Sequence, residues 1–285
     1  MALTRRRFLL VAGGSAAGLG AGAAFYERRR LEDTLDPPHG RAPGGATGPR
    51  RSGTFLSHAR RRTVRWEVAW PPGSRPGDHL AVALVLHGRG DDSRAAFAAQ
   101  GLQHFLAAAV RAGTPPFALA SIDGGDHTYW HARADGDDPQ TMLTEEFVPL
   151  LQRMGLRGER FGLTGWSMGG YGALLLATRV PDRVQAVATD AAALWQRPGD
   201  SAPGAFDGPA DFTRNDVFTR THQLSGIPLR LGCGRSDPFA GANHALLTAL
   251  PSAQSSFPRG GHDIGCWNTM RLADMTFLGR HLSAG

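Results

Sequence analysis

Arg160-Phe161-Gly162-Leu163-Thr164-Gly165-Trp166-Ser167-Met168-Gly169-Gly170-Tyr171-Gly172-Ala173-Leu174-Leu175-Leu176-Ala177-Thr178 is the stretch on which the fold turns. The run 160–164 reads as a strand buried in a parallel sheet. The Ala/Leu-rich run 168–178 reads as a helix. Between them lies G-x-S-x-G, in which flanking glycines let a serine occupy a strained strand-to-helix turn with its hydroxyl presented outward. A serine held in that way is a candidate nucleophile. It needs a base to take its proton and an anion to hold that base in the right tautomer.

The same alternation extends to both sides. Upstream, 80–86 and 117–122 read as strands and 95–111 and 141–154 as helices; downstream, 184–189, 228–231 and 252–257 read as strands and 243–250 and 265–281 as helices. Strands alternating with helices imply right-handed crossovers, hence an α/β fold with a mostly parallel, twisted sheet covered by helices on both faces. Runs 54–57 and 63–70, divided by Arg60-Arg61-Arg62 and closed by Pro71-Pro72-Gly73, read as an antiparallel opening hairpin. Residues 195–226 lose the periodicity, and a long excursion of this kind is expected to form a cap over a pocket. At 285 residues and 41% apolar composition, a single domain from 53 to 285 is expected.

Two further residues complete the chemistry that Ser167 needs. His262, in Gly260-Gly261-His262-Asp263, follows the last expected strand on a glycine-rich loop and is the candidate base. Asp237, in Cys233-Gly234-Arg235-Ser236-Asp237-Pro238, follows the strand at 228–231 and is the candidate acid, in the order Ser, acid, His. Asp190 is its rival, because it ends the strand after the elbow helix, whereas Asp263 reads as a loop-forming residue. An oxyanion needs preorganised donors, here the N–H groups of Met168 and of Arg89 in His87-Gly88-Arg89-Gly90; His87 reads as a brace for that turn. Asp126 and Tyr129, in the polar and aromatic loop 123–131, are expected at the mouth of the site. Trp166, Tyr171 and Trp195 are candidates to flank an acyl pocket. His127 and His131 have a spacing that suits a metal on a helix, but the glycines and aromatics around them favour a loop, so neither metal nor cofactor is expected. Cys233 and Cys266 leave a disulfide open.

Ser167-Met168-Gly169-Gly170-Tyr171-Gly172-Ala173, the His-Gly loop at 87–88, Asp123-Gly124-Gly125, Asp237-Pro238-Phe239 and Gly261-His262-Asp263 together resemble the esterase D and antigen 85 group of α/β-hydrolases, from about residue 53 onward. The resemblance implies the α/β-hydrolase fold and the roles of nucleophile, acid and base for Ser167, Asp237 and His262. It implies ester hydrolysis through an acyl-enzyme on a small-molecule or polysaccharide-linked ester. The alternatives are acyl transfer to a sugar hydroxyl in the cell envelope and a non-catalytic surface-binding domain.

The net charge of +6 invites a nucleic-acid reading, but residues 1–65 carry 13 arginines against 4 acids, leaving 18 basic and 21 acidic residues in the remainder. The basicity belongs to the tail, no recognition motif accompanies it, and no nucleic-acid partner is expected. Thr4-Arg5-Arg6-Arg7-Phe8-Leu9-Leu10 and the Gly/Ala-rich stretch behind it match a twin-arginine export signal over 1–26. Ala21-Gly22-Ala23 offers a cleavage site, and Arg28-Arg29-Arg30 suits an uncleaved membrane anchor instead. Residues 27–52 read as a flexible linker, and the protein is expected to be exported, either secreted or held at the cell envelope.

Overall fold

The computed structural model describes residues 31–33 and 38–283; the expected export signal at 1–26 lies outside them. The strands are β1 Arg50–Ser57, β2 Arg62–Ala69, β3 Ala81–Leu86, β4 Ala118–Ile122, β5 Arg157–Trp166, β6 Val184–Asp190, β7 Leu229–Gly232 and β8 Gln254–Ser256. They form one 8-stranded sheet in the order β1-β2-β4-β3-β5-β6-β7-β8. β1 and β2 form the expected antiparallel hairpin, β2 joins β4 antiparallel, and every pairing from β4 to β8 is parallel. This is the α/β-hydrolase arrangement, with the elbow at the C-terminal end of the central strand β5.

Alternation along the strands sorts the core into two layers. Val82, Leu84 and Leu86 of β3 face one cluster, shared with Leu151 of helix Val148–Arg153 and with Leu174–Ala177 of helix Met168–Arg179. Ala81, Ala83 and Val85 face the other, shared with Leu102, Phe105 and Leu106 of helix Leu102–Arg111 and with Met275, Leu278 and Leu282 of helix Arg271–Leu282. Every residue of β3 is buried, as a strand sandwiched between helical layers requires.

Departures from the sequence reading have local causes. The helix expected over 95–111 is broken into Ala95–Ala98 and Leu102–Arg111, because Gly101 takes a left-handed conformation at φ 62°. The helix expected from 141 starts earlier, where the Asp138 carboxylate caps the N–H groups of Gln140 and Thr141. It then widens into a π-helical segment at Met142–Phe147, just ahead of Pro149, which has no N–H to continue a regular ladder. The last helix divides into Ile264–Asn268 and Arg271–Leu282.

The segment read as a flexible linker over 27–52 is closed onto the domain where it is described. Arg50 and Arg51 already pair with Ala69 and Val68 in the sheet. Arg111 donates to the carbonyls of Ala46 and Gly44, and Asn268 Nδ2 donates to the Gly40 carbonyl at 3.0 Å. Glycine-rich composition here serves close packing rather than freedom: a Cβ on Gly48 would sit 2.1 Å from the Trp70 carbonyl.

The excursion over 195–226 carries short helices, Pro209–Arg214 and Thr221–Leu224. Ala205, Val217 and Leu224 insert into the core. Tyr171 Oη donates to the Asn215 carbonyl at 2.7 Å, and Arg133 donates to the Ala205 carbonyl and to Asp207. The cap is therefore anchored to the elbow helix and to the loop after β4.

Candidate active site

Ser167 sits between β5 and helix Met168–Arg179 with φ 54° and ψ −120°, a conformation of the kind that costs on the order of 1–3 kcal/mol and persists only where its surroundings enforce it. The surroundings are tight. A Cβ on Gly169 would fall 1.9 Å from the Leu86 carbonyl oxygen, and one on Gly165 would fall 2.6 Å from the same atom. The Ser167 N–H donates to the Asp190 carbonyl at 2.9 Å, and the Ser167 carbonyl accepts from Ala193 and Tyr171. Strand ends on both sides thus fix the turn and leave the hydroxyl available.

The hydroxyl meets the imidazole of His262. Nε2 of His262 lies 2.9 Å from Ser167 Oγ, and Nδ1 lies 2.7 Å from Asp237 Oδ2. Asp237 is buried, and its other oxygen accepts the Phe239 N–H at 2.8 Å. A carboxylate accepts and does not donate, so Nδ1 carries the imidazole proton and the Nε2 lone pair faces the serine. The loop after β7 carries Asp237 and the loop after β8 carries His262, and the two loops are bonded to each other: Arg235 N–H donates to the Pro258 carbonyl and Ser236 N–H to the Gly260 carbonyl.

Asp190 is directed elsewhere. Its carboxylate accepts from Arg271 Nε at 3.2 Å in the buried layer beneath the elbow, and burial raises its pKa against the pull of Arg271. Arg230 and Asp274 form a neighbouring pair at 2.7 Å. Asp263 caps the helix Ile264–Asn268 by accepting from the Cys266 N–H.

Met168 N–H opens a helix and has no intrahelical carbonyl to reach. Gly90 and Asp91 commit their N–H groups to the carbonyls of Asp126 and Gly88, bonds in which the Arg89 N–H takes no part. His87 accepts the Gly124 N–H on Nε2 and places Nδ1 2.8 Å from the Gly88 carbonyl, so it joins the loops after β3 and β4. Trp166, a candidate for the pocket wall, is buried instead in the helical layer behind the site. Its indole N–H donates to Asp91 at 3.0 Å, so it braces the loop of Arg89. The reason is alternation: one residue before the turn, a strand side chain points into the core.

The remaining aromatic candidates meet at the site, with partners the sequence reading missed. His262 is flanked by Phe239, with centroids 5.3 Å apart, and by Trp267 at 5.1 Å. Phe239 meets Trp195 at 5.5 Å, and Trp195 meets Tyr129 at 5.4 Å and Phe206 at 6.1 Å. Tyr129 also meets Tyr171 at 6.0 Å. An unbroken aromatic wall therefore runs from the imidazole to the cap. Phe239 and Trp267 lie within a few residues of Asp237 and His262, a proximity that could have flagged them; nothing local marks Phe206.

Asp126 lies apart from this wall. It pairs with His127 at 2.6 Å on the surface and lines a cavity of about 530 Å³ with Arg60, Gly90 and Arg94. His131 is buried, with Nε2 at 3.1 Å from the Ala205 carbonyl, so the two histidines face different partners. Among the described residues no group of three or more His, Cys, Asp or Glu could hold a metal ion, and no helix is long and apolar enough to cross a membrane. Cys233 and Cys266 are both buried free thiols.

The sequence model of the Esterase family, described as putative esterases, matches residues 57–256. No curated protein matches the chain. Among solved structures, a ferulic acid esterase superposes with a TM-score of 0.72 at 19% identity, covering 82% of this chain and 99% of that one. The fluorophosphonate-binding serine hydrolase F of Staphylococcus aureus gives 0.66 at 18% identity, with 82% and 99% covered. An S-formylglutathione hydrolase of Agrobacterium tumefaciens gives 0.67 at 15% identity, with 84% and 98% covered. At these identities the likeness is one of fold.

Proposed function

The chain belongs to the Esterase family and is a carboxylic ester hydrolase, and from that premise we propose that it works through an acyl-enzyme on Ser167, with His262 as general base and Asp237 as the acid that orients it. Ser167 Oγ attacks the ester carbonyl carbon while His262 Nε2 takes the hydroxyl proton. The carbonyl oxygen becomes an oxyanion held by the N–H groups of Met168 and Arg89, where losing one donor typically costs about 3 kcal/mol of transition-state stabilisation. His262 then returns the proton to the leaving alkoxide, the C–O bond breaks, and the alcohol departs. Water repeats the sequence, giving its proton to His262, and releases the acid. Asp237 steadies the imidazolium at each stage.

The observation that supports this reading is the hydrogen-bonded series from Ser167 Oγ through His262 to Asp237, at 2.9 and 2.7 Å, starting from a strained serine. The substrate is a small-molecule or polysaccharide-linked ester whose acyl group lies along the aromatic wall. Hydrolysis of p-nitrophenyl acetate by the purified protein, abolished in Ser167→Ala, tests it; hydrolysis equal in both proteins would refute it.

Export by the twin-arginine route is part of the same proposal, resting on Arg5-Arg6-Arg7 and the stretch that follows. Replacing Arg5 and Arg6 by lysine should retain the protein inside the cell.

A further inference from the structure

Asp33 and residues 38–40, ahead of the family match, make close contacts with the loops that carry Asp237 and His262. Asp33 is buried, and its carboxylate accepts hydrogen bonds from four residues of those loops. Oδ2 accepts the Ser236 hydroxyl at 2.5 Å and the Gly260 N–H at 3.1 Å; Oδ1 accepts from Arg235 Nη2 at 3.2 Å and Arg259 Nε at 3.1 Å. Ser236 adjoins Asp237, and Gly260 stands two residues before His262. One side chain therefore ties the acid loop to the base loop. Burial opposes its ionisation and is the largest single influence, but the hydrogen bonds from Ser236, Arg235, Gly260 and Arg259 outweigh it and hold the carboxyl well below its ordinary range.

A second contact comes from Pro38 to Gly40. A Cβ on Gly265 would lie 2.2 Å from the Pro38 carbonyl oxygen, and one on Gly260 would lie 2.6 Å from Pro38 Cγ. A Cβ on Gly40 would lie 2.5 Å from the Gly265 carbonyl oxygen. Backbone thus lies against backbone at Gly265 and the Pro38 ring lies against Gly260, so these residues touch both sides of His262 at distances only glycine permits, and Asn268 fastens Gly40 by its carbonyl.

We propose that Asp33 and residues 38–40 form a clasp for the active site, and that Asp33 is a positioning residue that sets the reach of His262 toward Ser167 by locking its loop to that of Asp237. The inference rests on the hydrolase reading above. Asp33 touches neither substrate nor the reacting atoms. Its effect is therefore on kcat rather than KM, because displacement of a catalytic group by about 1 Å can cost 100-fold in rate while leaving the binding surface intact.

The test compares wild type with Asp33→Asn, Asp33→Glu and Arg235→Gln in the full chain. It measures kcat and KM on p-nitrophenyl acetate, melting temperature, and the downfield proton resonance of His262 Nδ1–H. Asp33→Asn should lose about 10-fold or more in kcat with KM within about 2-fold, and its Nδ1 proton resonance should move or broaden. Asp33→Glu should regain part of the rate, and Arg235→Gln should reproduce a milder form of the loss while remaining folded. If Asp33→Asn fails to fold, Arg235→Gln decides the matter by the same readouts. Variants that melt lower but keep wild-type kcat and an unmoved resonance would overturn the clasp, leaving Asp33 merely structural. An inactive wild type would overturn the hydrolase reading, and the clasp with it.

Discussion

The Asp190 carboxylate lies 3.2 Å from Arg271 Nε, although its backbone carbonyl accepts the N–H of Ser167. Asp190 therefore shapes the elbow through its main chain and the buried layer through its side chain. Asp237, one strand further along the sheet, has the opposite division: its carboxylate is given wholly to His262 Nδ1 and the Phe239 N–H.

These two acids should separate in mutation. Asp237→Asn should lower kcat by about 10³–10⁴, since an amide favours the wrong imidazole tautomer. Asp190→Asn should keep most of the turnover but lose stability, by about 3 kcal/mol, because a buried guanidinium is left without its counter-charge. Steady-state kinetics and thermal melting on both variants check this, and the reverse pattern would move the acid role to Asp190.

The elbow predicts a steric limit. Gly169→Ala places a methyl 1.9 Å from the Leu86 carbonyl oxygen, and backbone on both sides cannot yield. We expect loss of at least about 3 kcal/mol of stability and no measurable hydrolysis, read by denaturant unfolding and by esterase assay.

This much was legible in the sequence because it is local. A strand, a glycine-bounded serine and a helix are contiguous, and Asp237 and His262 follow strands in a recognisable order. What stayed hidden depends on contacts distant in sequence. Phe206 joins the aromatic wall from within the cap, and Asp33 reaches loops some 200 positions away, at Arg235. Residues 38–52 read as a linker because proline and glycine are the same letters in a flexible tether and in a backbone packed against backbone. The bend of Trp166 into the core, away from the pocket, follows from strand alternation, which composition around the motif obscured.

The aromatic wall predicts selectivity. Trp195 bridges Phe239 beside His262 to Tyr129 and Phe206, so Trp195→Ala should lower kcat/KM for aromatic acyl esters by about 10- to 100-fold while acetyl esters change little. A panel of p-nitrophenyl esters of graded acyl size measures this; an equal loss across the panel would remove Trp195 from substrate contact.

The two thiols predict an alkaline limit. Burial pushes Cys266 up to about 12, and the same cause raises Cys233 further. Unfolded thiols ionise near 8.5. Between about 8.5 and 12 the unfolded chain therefore releases protons that the folded one retains, so this contribution is intact below that window and declines as pH rises through it. Stability should fall across that range and fall less in a Cys233→Ala, Cys266→Ala variant. In the native protein at neutral pH neither thiol should react with Ellman's reagent, and intact mass should show both reduced.

A nucleophile at Ser167 made reactive by His262 can be captured covalently without choosing a substrate. The native protein is treated with a fluorophosphonate, and the adduct is located by peptide mass spectrometry in wild type, His262→Ala and Asp190→Asn. One phosphonyl group on Ser167, formed in wild type and Asp190→Asn and nearly absent in His262→Ala, is the predicted result. Modification at another residue, or labelling of Ser167 at an undiminished rate without the imidazole, would rule out a Ser167 nucleophile activated by His262.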